Sequence, residues 1–127
     1  MFDVNVEYMD RNSETMLSDT EISVEVKDGF LFLKGSQSQI MVVNLDSMFR
    51  VKFRYPEPQA LPLFKYTVNI NYELDSDVEL LFSSKQVYVS LLNNSVVVIK
   101  ESDDITRLIN PNYLKTVKVT TYTEKDL

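Results

Sequence analysis

Residues 64–74 read Phe-Lys-Tyr-Thr-Val-Asn-Ile-Asn-Tyr-Glu-Leu and carry the clearest structural pattern in the chain. Every second side chain is apolar or aromatic, and each side chain between them is polar. Successive side chains of a β strand point to opposite faces of a sheet, so this alternation predicts a half-buried strand. Its apolar face would carry Phe64, Tyr66, Val68, Ile70, Tyr72 and Leu74.

The same alternation recurs along the chain, at residues 2–8, 22–26 and 49–55. Asp28-Gly29 separates two apolar runs, and this dipeptide favours the type I′ turn of a tight hairpin, which needs positive φ angles. Frequent short strands bounded by turn residues are typical of sandwiches and barrels. We therefore expect an all-β fold, an antiparallel β-sandwich or partly open barrel of about eight to nine strands.

One segment has helical spacing instead. Ser102 is a good N-cap, and Ile105, Leu108 and Ile109 follow at positions that share one face of a helix. This pattern predicts one short helix near 103–109. The prolines of the segment from Pro56 to Pro62 would stop a strand, but the leucines among them favour a structured loop over a linker, so residues 1–127 are expected to form a single domain.

Some strands are apolar at every position, notably Val96–Ile99 and Leu80–Phe82. The run Val96–Ile99 is expected to be buried on both faces of a sheet. Because a two-layer domain leaves its outer faces uncovered, these strands predict self-association, most simply as a homo-oligomer.

The chain contains no cysteine and no histidine. These absences remove thiolate nucleophiles, disulfides, Cys-ligated zinc, the commonest general base and the commonest ligand of transition metals. Asp75, Asp77 and Glu79 form a D-x-D-x-E pattern, but the glycine and distal Glu of an EF-hand loop are missing, so an acidic turn is expected. The sequence therefore predicts no enzyme activity, no cofactor and no metal site.

A possible nucleic-acid surface lies on the polar side of residues 49–55, where Arg50, Lys52 and Arg54 alternate, and Lys65 is the nearest further cation on a polar strand face. Grooves of OB-fold proteins combine such cations with aromatic rings to hold single strands. However, Phe49, Val51 and Phe53 are expected on the opposite face, and three cations are a small footprint. An OB-like single-stranded nucleic-acid-binding protein is therefore the alternative hypothesis.

Seven tyrosines offer a second kind of recognition surface, because tyrosine is enriched at protein interfaces. Tyr66 and Tyr72 share a strand face with apolar residues and are expected in the core. Tyr88 and Tyr122 lie opposite apolar positions and are the candidates for partner binding.

Net charge, hydropathy and composition bear on the partners and the location of the protein. The net charge of -6 disfavours polyanionic partners, and the sequence shows neither a membrane-spanning run nor a signal peptide, so a soluble, cytoplasmic protein is expected. The favoured function is a non-catalytic protein–protein interaction or structural assembly module. Abundant Asn, Tyr, Ile and Phe beside scarce Ala and Gly suit an AT-rich genome, and hence a phage or virus accessory protein.

Overall fold

The computed structural model describes residues 1–56 and 64–121 and contains twelve strands and two short 3₁₀ turns. The all-β prediction is confirmed, although the strands are more numerous than the eight or nine expected. Tyr122 and most of the proline segment lie outside the described residues. The strands are β1 Phe2–Tyr8, β2 Ser13–Ser18, β3 Ser23–Lys27, β4 Phe30–Lys34, β5 Ile40–Asn44, β6 Met48–Arg54, β7 Tyr66–Tyr72, β8 Val78–Ser83, β9 Val87–Leu92, β10 Val96–Glu101, β11 Asp104–Ile109 and β12 Leu114–Thr121, and the 3₁₀ turns are Leu74–Ser76 and Pro111–Tyr113.

The strands form three antiparallel sheets. The central sheet has the order β2-β1-β6-β11-β10-β9. Outer sheet 1 has the order β3-β4-β5, and outer sheet 2 has the order β12-β7-β8. The three sheets therefore leave six edge strands: β2 and β9, β3 and β5, and β12 and β8.

The two outer sheets cover opposite faces of the central sheet. Val96 and Val98 of β10 pack with outer sheet 1, whereas Val97 and Ile99 pack with outer sheet 2. All four side chains are buried, as the uninterrupted apolar run predicts. Their cover comes from the same chain, so these residues do not themselves require a second subunit.

A β-bulge in β6 corrects one expectation. Glu7 pairs with Arg50 and the next residue, Tyr8, pairs with Met48, which leaves Phe49 as the extra residue. The bulge turns Phe49 away from Val51 and into the core beneath outer sheet 2, where its ring packs against Tyr72 at a centroid distance of 4.9 Å. The prediction that Phe49 shares a face with Val51 and Phe53 is wrong for this reason.

The predicted helix near 103–109 is also wrong, because this segment is strand β11. Opposite β10, Ile99 pairs with Arg107 and Lys100 pairs with Ile105, so Thr106 is an extra residue. This second bulge brings Ile105 and Leu108 to the same apolar cluster although they are three positions apart. A bulged strand thus reproduced the i, i+3 spacing of a helix, and Ser102, with φ of 53°, belongs to the hairpin turn.

The Asp28-Gly29 turn joins β3 to β4 as predicted. Lys27 pairs directly with Phe30, and the two residues between them have φ angles of 53° and 82°. Positive φ at both central positions is the signature of a type I′ turn. The dipeptide Asp28-Gly29 therefore predicts the first hairpin of outer sheet 1 correctly from the sequence.

Candidate functional site

The predicted cationic stripe is divided by the fold. Arg50 is only 8% exposed, whereas Arg54, on the same face of β6, is exposed. The Arg50 guanidinium lies over the rings of Phe49 and Tyr72, 5.0 Å and 4.9 Å from their centroids. Arg50 is therefore part of the packing between the central sheet and outer sheet 2.

Carboxylates surround Arg50 on both sides. Its Nε donates to Glu7, its direct neighbour on β1. Its Nη1 lies 3.5 Å from Asp77 and 3.5 Å from Glu79, which belong to the segment before β8 and to β8 itself. The charge of Arg50 is thus offset within the chain, by residues from two different sheets.

Arg107 completes this arrangement, although sequence reasoning did not select it. Its Nη2 and Nε lie 2.7 Å and 3.0 Å from the same oxygen of Glu79, and the Tyr72 hydroxyl donates to the other oxygen at 2.6 Å. We call Glu7, Arg50, Tyr72, Glu79 and Arg107 the ion-pair cluster. Only the pairing of β11 with β6 brings Arg107 here, so no local pattern marks it.

The ionisation of the cluster follows from these contacts. Burial alone would raise the pKa of Glu79, but the hydrogen bonds and charge of Arg107 outweigh burial and hold the pKa below its usual value. Burial and the bond to Glu79 raise the pKa of the Tyr72 hydroxyl well above its usual range. Glu79 is therefore ionised and Tyr72 neutral near pH 7, which suits a structural cluster better than proton transfer.

The D-x-D-x-E pattern forms the acidic side of these contacts. Asp75 binds Arg11, Asp77 lies beside Arg50, and Glu79 binds Arg107. Asp77 and Glu79 both reach Arg50, whereas Asp75 binds a different arginine, Arg11, so the pattern is used for ion pairs within the chain. Within the described parts of the chain, no group of three or more His, Cys, Asp or Glu side chains is placed to hold a metal ion.

The remaining cations of the stripe line an open depression of about 350 Å³. Lys52 and Arg54 are joined there by Arg107 and by the acidic residue Asp3. Lys52 also lies 3.2 Å from Glu7, so part of its charge is already offset. Lys65 is exposed and directly precedes Tyr66, the first residue of β7. Tyr72, which contacts Arg50, is the last residue of that strand, so the structure does not bring Lys65 to Arg50.

The exposed apolar side chains form a different pattern. Among the described residues, eight of the thirteen large apolar side chains that stay exposed lie on three strands, β5, β8 and β9. All three are edge strands, one from each sheet. The eight residues are Ile40 and Val42 on β5, Val78, Leu80 and Phe82 on β8, and Tyr88, Val89 and Leu91 on β9.

The other three edges differ in composition. The β3 edge carries Glu25 and Lys27, the β12 edge carries Lys115 and Lys118, and the β2 edge carries Glu14. Charged residues on an edge oppose pairing with another chain. The β3 and β12 edges are therefore protected by two charges each, and the β2 edge carries one charge and one exposed apolar residue, Leu17.

Of the two tyrosines selected from the sequence, Tyr88 lies on the apolar edge β9 and is half-exposed. Tyr122 lies outside the described residues. Tyr72 is buried as expected, and Tyr66 is partly buried against the same core. The structure thus leaves Tyr88 accessible, and its neighbours Val89 and Leu91 were not singled out from the sequence.

Comparison with known proteins gives no relative: no family model, no curated protein and no solved structure matches this chain. None of the helical turns in the described residues is long and apolar enough to cross a membrane.

Proposed function

We propose that this chain is a non-catalytic protein-binding module that assembles with other protein surfaces through its apolar edge strands. The observation that carries the proposal is the concentration of exposed apolar side chains on β5, β8 and β9. An unprotected edge offers unpaired backbone donors and acceptors, and alternate side chains add apolar contact, which is how strand addition binds a partner.

The outer faces strengthen two of these edges. On outer sheet 1, Val42 pairs with Phe32, and Phe30 lies two positions before Phe32, so the apolar surface extends from β5 onto β4. On outer sheet 2, the rings of Phe64 and Phe82 lie 5.5 Å apart at the end of β8. Contiguous apolar surface of this kind marks interaction sites more often than single exposed residues do.

The nucleic-acid alternative has less support. Arg50 is buried and paired, Lys52 and Arg107 contact carboxylates, and the net charge is -6. Phosphate binding needs cations that are free to exchange their counterions. A protein-assembly role in the cytoplasm, as an accessory protein of a phage or virus, accords with the composition and is part of the same proposal.

Site-specific photo-crosslinking in the native cells tests the proposal. A photoreactive residue at Ile40 or Leu80 samples the apolar edges, and one at Ser23 or Lys118 gives matched controls. Ser23 and Ile40 occupy one cross-strand row of outer sheet 1, and Lys118 and Leu80 occupy one row of outer sheet 2.

We expect a defined protein crosslink from Ile40 or Leu80, lost when the neighbouring Val42 or Phe82 is changed to Lys, and no such crosslink from Ser23 or Lys118. Equal crosslinking at apolar and control positions, or none at either, would contradict a binding role for these edges.

A further inference from the structure

Strand β9 combines three properties of a pairing edge. Among the described strands it ends the central sheet, so one side of its backbone has no partner strand in that part of the chain. Its exposed side chains are uncharged on both faces: Tyr88 at 50% exposure and Ser90 lie on one face, and Val89 at 45% and Leu91 at 60% lie on the other. It also contains no proline or glycine, which would interrupt a ladder of backbone hydrogen bonds.

The segment around β9 is the longer of two uncharged stretches that contain an apolar edge strand, the other being residues 35–45 around β5. Residues 86–99 contain no Asp, Glu, Lys or Arg, although a quarter of the chain is charged. In a contact between two identical surfaces, any charge near the two-fold axis meets a like charge. A neutral surface avoids this repulsion between two copies of a chain with net charge -6, and the β9 edge is such a surface.

The sequence of β9 is also complementary to itself. If two copies pair antiparallel about Ser90, Val89 of each strand lies opposite Leu91 of the other, and Ser90 lies opposite Ser90. On the face that carries Ser90, Tyr88 then meets Leu92. Within residues 88–92 each pair is either apolar with apolar or polar with polar, and such cross-strand pairs stabilise sheets. Val87 falls opposite Asn93, which lies in the turn after β9.

We propose that a second copy of this chain pairs antiparallel through β9, so that the central sheet continues across a two-fold axis. The inference rests on the proposed function, since it assigns the partner of one apolar edge. β9 fits a second copy better than β8 does, because β8 carries Glu79 and ends beside Lys85, whereas β9 lies wholly in the neutral segment.

The size of the contact sets its strength. A six-residue strand spans about 20 Å, so an edge-to-edge pair buries less than the 1,200 Å² or so of a standard interface. The dimer is therefore reversible and dissociates on dilution. Sedimentation velocity on the full chain, from about 1 μM to about 1 mM, should show a mass that rises from 14.8 kDa towards twice that value.

Two charge variants test the register. The lysine variant carries Val89→Lys and Leu91→Lys, and the glutamate variant carries Val89→Glu and Leu91→Glu. Each places like charges opposite each other, so the dimer dissociation constant should rise at least tenfold. An equimolar mixture places Lys opposite Glu and should form a heterodimer. The matched control is Leu17→Lys on β2, the opposite edge of the same sheet, which is 53% exposed and should leave the dimer unchanged.

Each result decides the inference. A wild-type chain that is monomeric at every concentration, a mixture that stays monomeric, or a dimer lost in Leu17→Lys but kept in the lysine variant would overturn it. If a variant fails to fold by circular dichroism, hydrogen exchange on the wild type replaces it: β9 amides should exchange more slowly at high concentration, and unchanged rates would overturn pairing through β9. A monomer that still crosslinks from Ile40 or Leu80 would retain the proposed function and refute only this inference.

Discussion

Replacing Arg50 by Met tests whether the ion-pair cluster holds outer sheet 2 against the central sheet. Methionine keeps much of the apolar stem but removes the guanidinium, which is bound by Glu7 and lies beside Asp77 and Glu79. Removing one partner of a buried ion pair costs about 3–5 kcal/mol, because the opposite charges stay buried. Loss of the two ring contacts adds about 0.5–2 kcal/mol.

Two features of the cluster reduce this cost. Glu79 keeps its bonds to Arg107, and Glu7 keeps Lys52 at 3.2 Å. We therefore expect the free energy of unfolding to fall by about 3 kcal/mol, near the lower end of the range for buried pairs. With a urea m-value of about 2 kcal/mol/M, the unfolding midpoint should move down by about 1.5 M.

Urea unfolding followed by circular dichroism measures this change, and Arg54→Met is the matched control. Arg54 lies on the same face of the same strand but is exposed, so its substitution should cost no more than about 0.5 kcal/mol. A double-mutant cycle with Glu7→Gln should give a coupling of about 1 kcal/mol or more. A cost of less than about 0.5 kcal/mol for Arg50→Met, or an equal cost for Arg54→Met, would show that the ion-pair cluster does not hold the two sheets together.

Three further predictions concern the turn, the pH response and the nucleic-acid alternative. Gly29→Val should destabilise the chain by about 1–2 kcal/mol through strain at a φ of 82°, and an unchanged urea midpoint would place the turn elsewhere. Because Arg107 holds the pKa of Glu79 below its usual value despite burial, Glu79 stabilises the fold above about pH 4.3 and this stabilisation is lost as the pH falls further. Glu79→Gln should therefore flatten the loss of unfolding free energy between about pH 5 and pH 3, and parallel curves for the two proteins would argue against this assignment. Fluorescence anisotropy with labelled oligo-dT of about 30 nucleotides should show no binding at physiological salt, whereas micromolar binding abolished by Arg54→Glu would restore the alternative function.

The parts of the fold that the sequence predicts correctly depend on neighbouring residues. Alternation over residues 64–74 identifies β7, because Val68, Ile70 and Tyr72 are buried as their positions require. The pattern extends further than the strand: Phe64 precedes β7 and is 45% exposed, and Leu74 lies in a 3₁₀ turn. The positive φ angles of Asp28 and Gly29 follow from the preference of this dipeptide for a type I′ turn. The buried run Val96–Ile99 follows from apolarity at every position.

The errors come from bulges. Phe49 and Thr106 are the extra residues of two β-bulges. At each bulge the alternation of side chains between the two faces of the sheet is interrupted. A bulge depends on the opposing strand, and that strand is distant in sequence. For this reason the alternation in the sequence predicts the wrong face for Phe49, and the spacing of Ile105 and Leu108 predicts a helix where the structure has a strand.

In the candidate sites, too, the sequence shows the local patterns but not which of them come together in the fold. Arg50 and the D-x-D-x-E pattern were each visible as charged patterns, one on β6 and the other before and within β8. That they face each other depends on how outer sheet 2 lies on the central sheet, and nothing local encodes this arrangement. Arg107 had no local signal, since a lone arginine in an apolar segment has many possible roles.

The two kinds of contact between the layers explain why this fold keeps charges inside and apolar residues at its edges. Apolar packing between sheets is non-directional and tolerates sliding, whereas two guanidinium nitrogens of Arg107 reach one oxygen of Glu79 in only a narrow range of positions. We therefore expect the ion-pair cluster to fix the position of outer sheet 2 on the central sheet. On β8, Glu79 points to the ion-pair cluster, and the alternating residues Val78, Leu80 and Phe82 point outward and are exposed. The side-chain alternation that places Glu79 in the cluster therefore also exposes the apolar residues of the edge strand through which we propose that the protein binds.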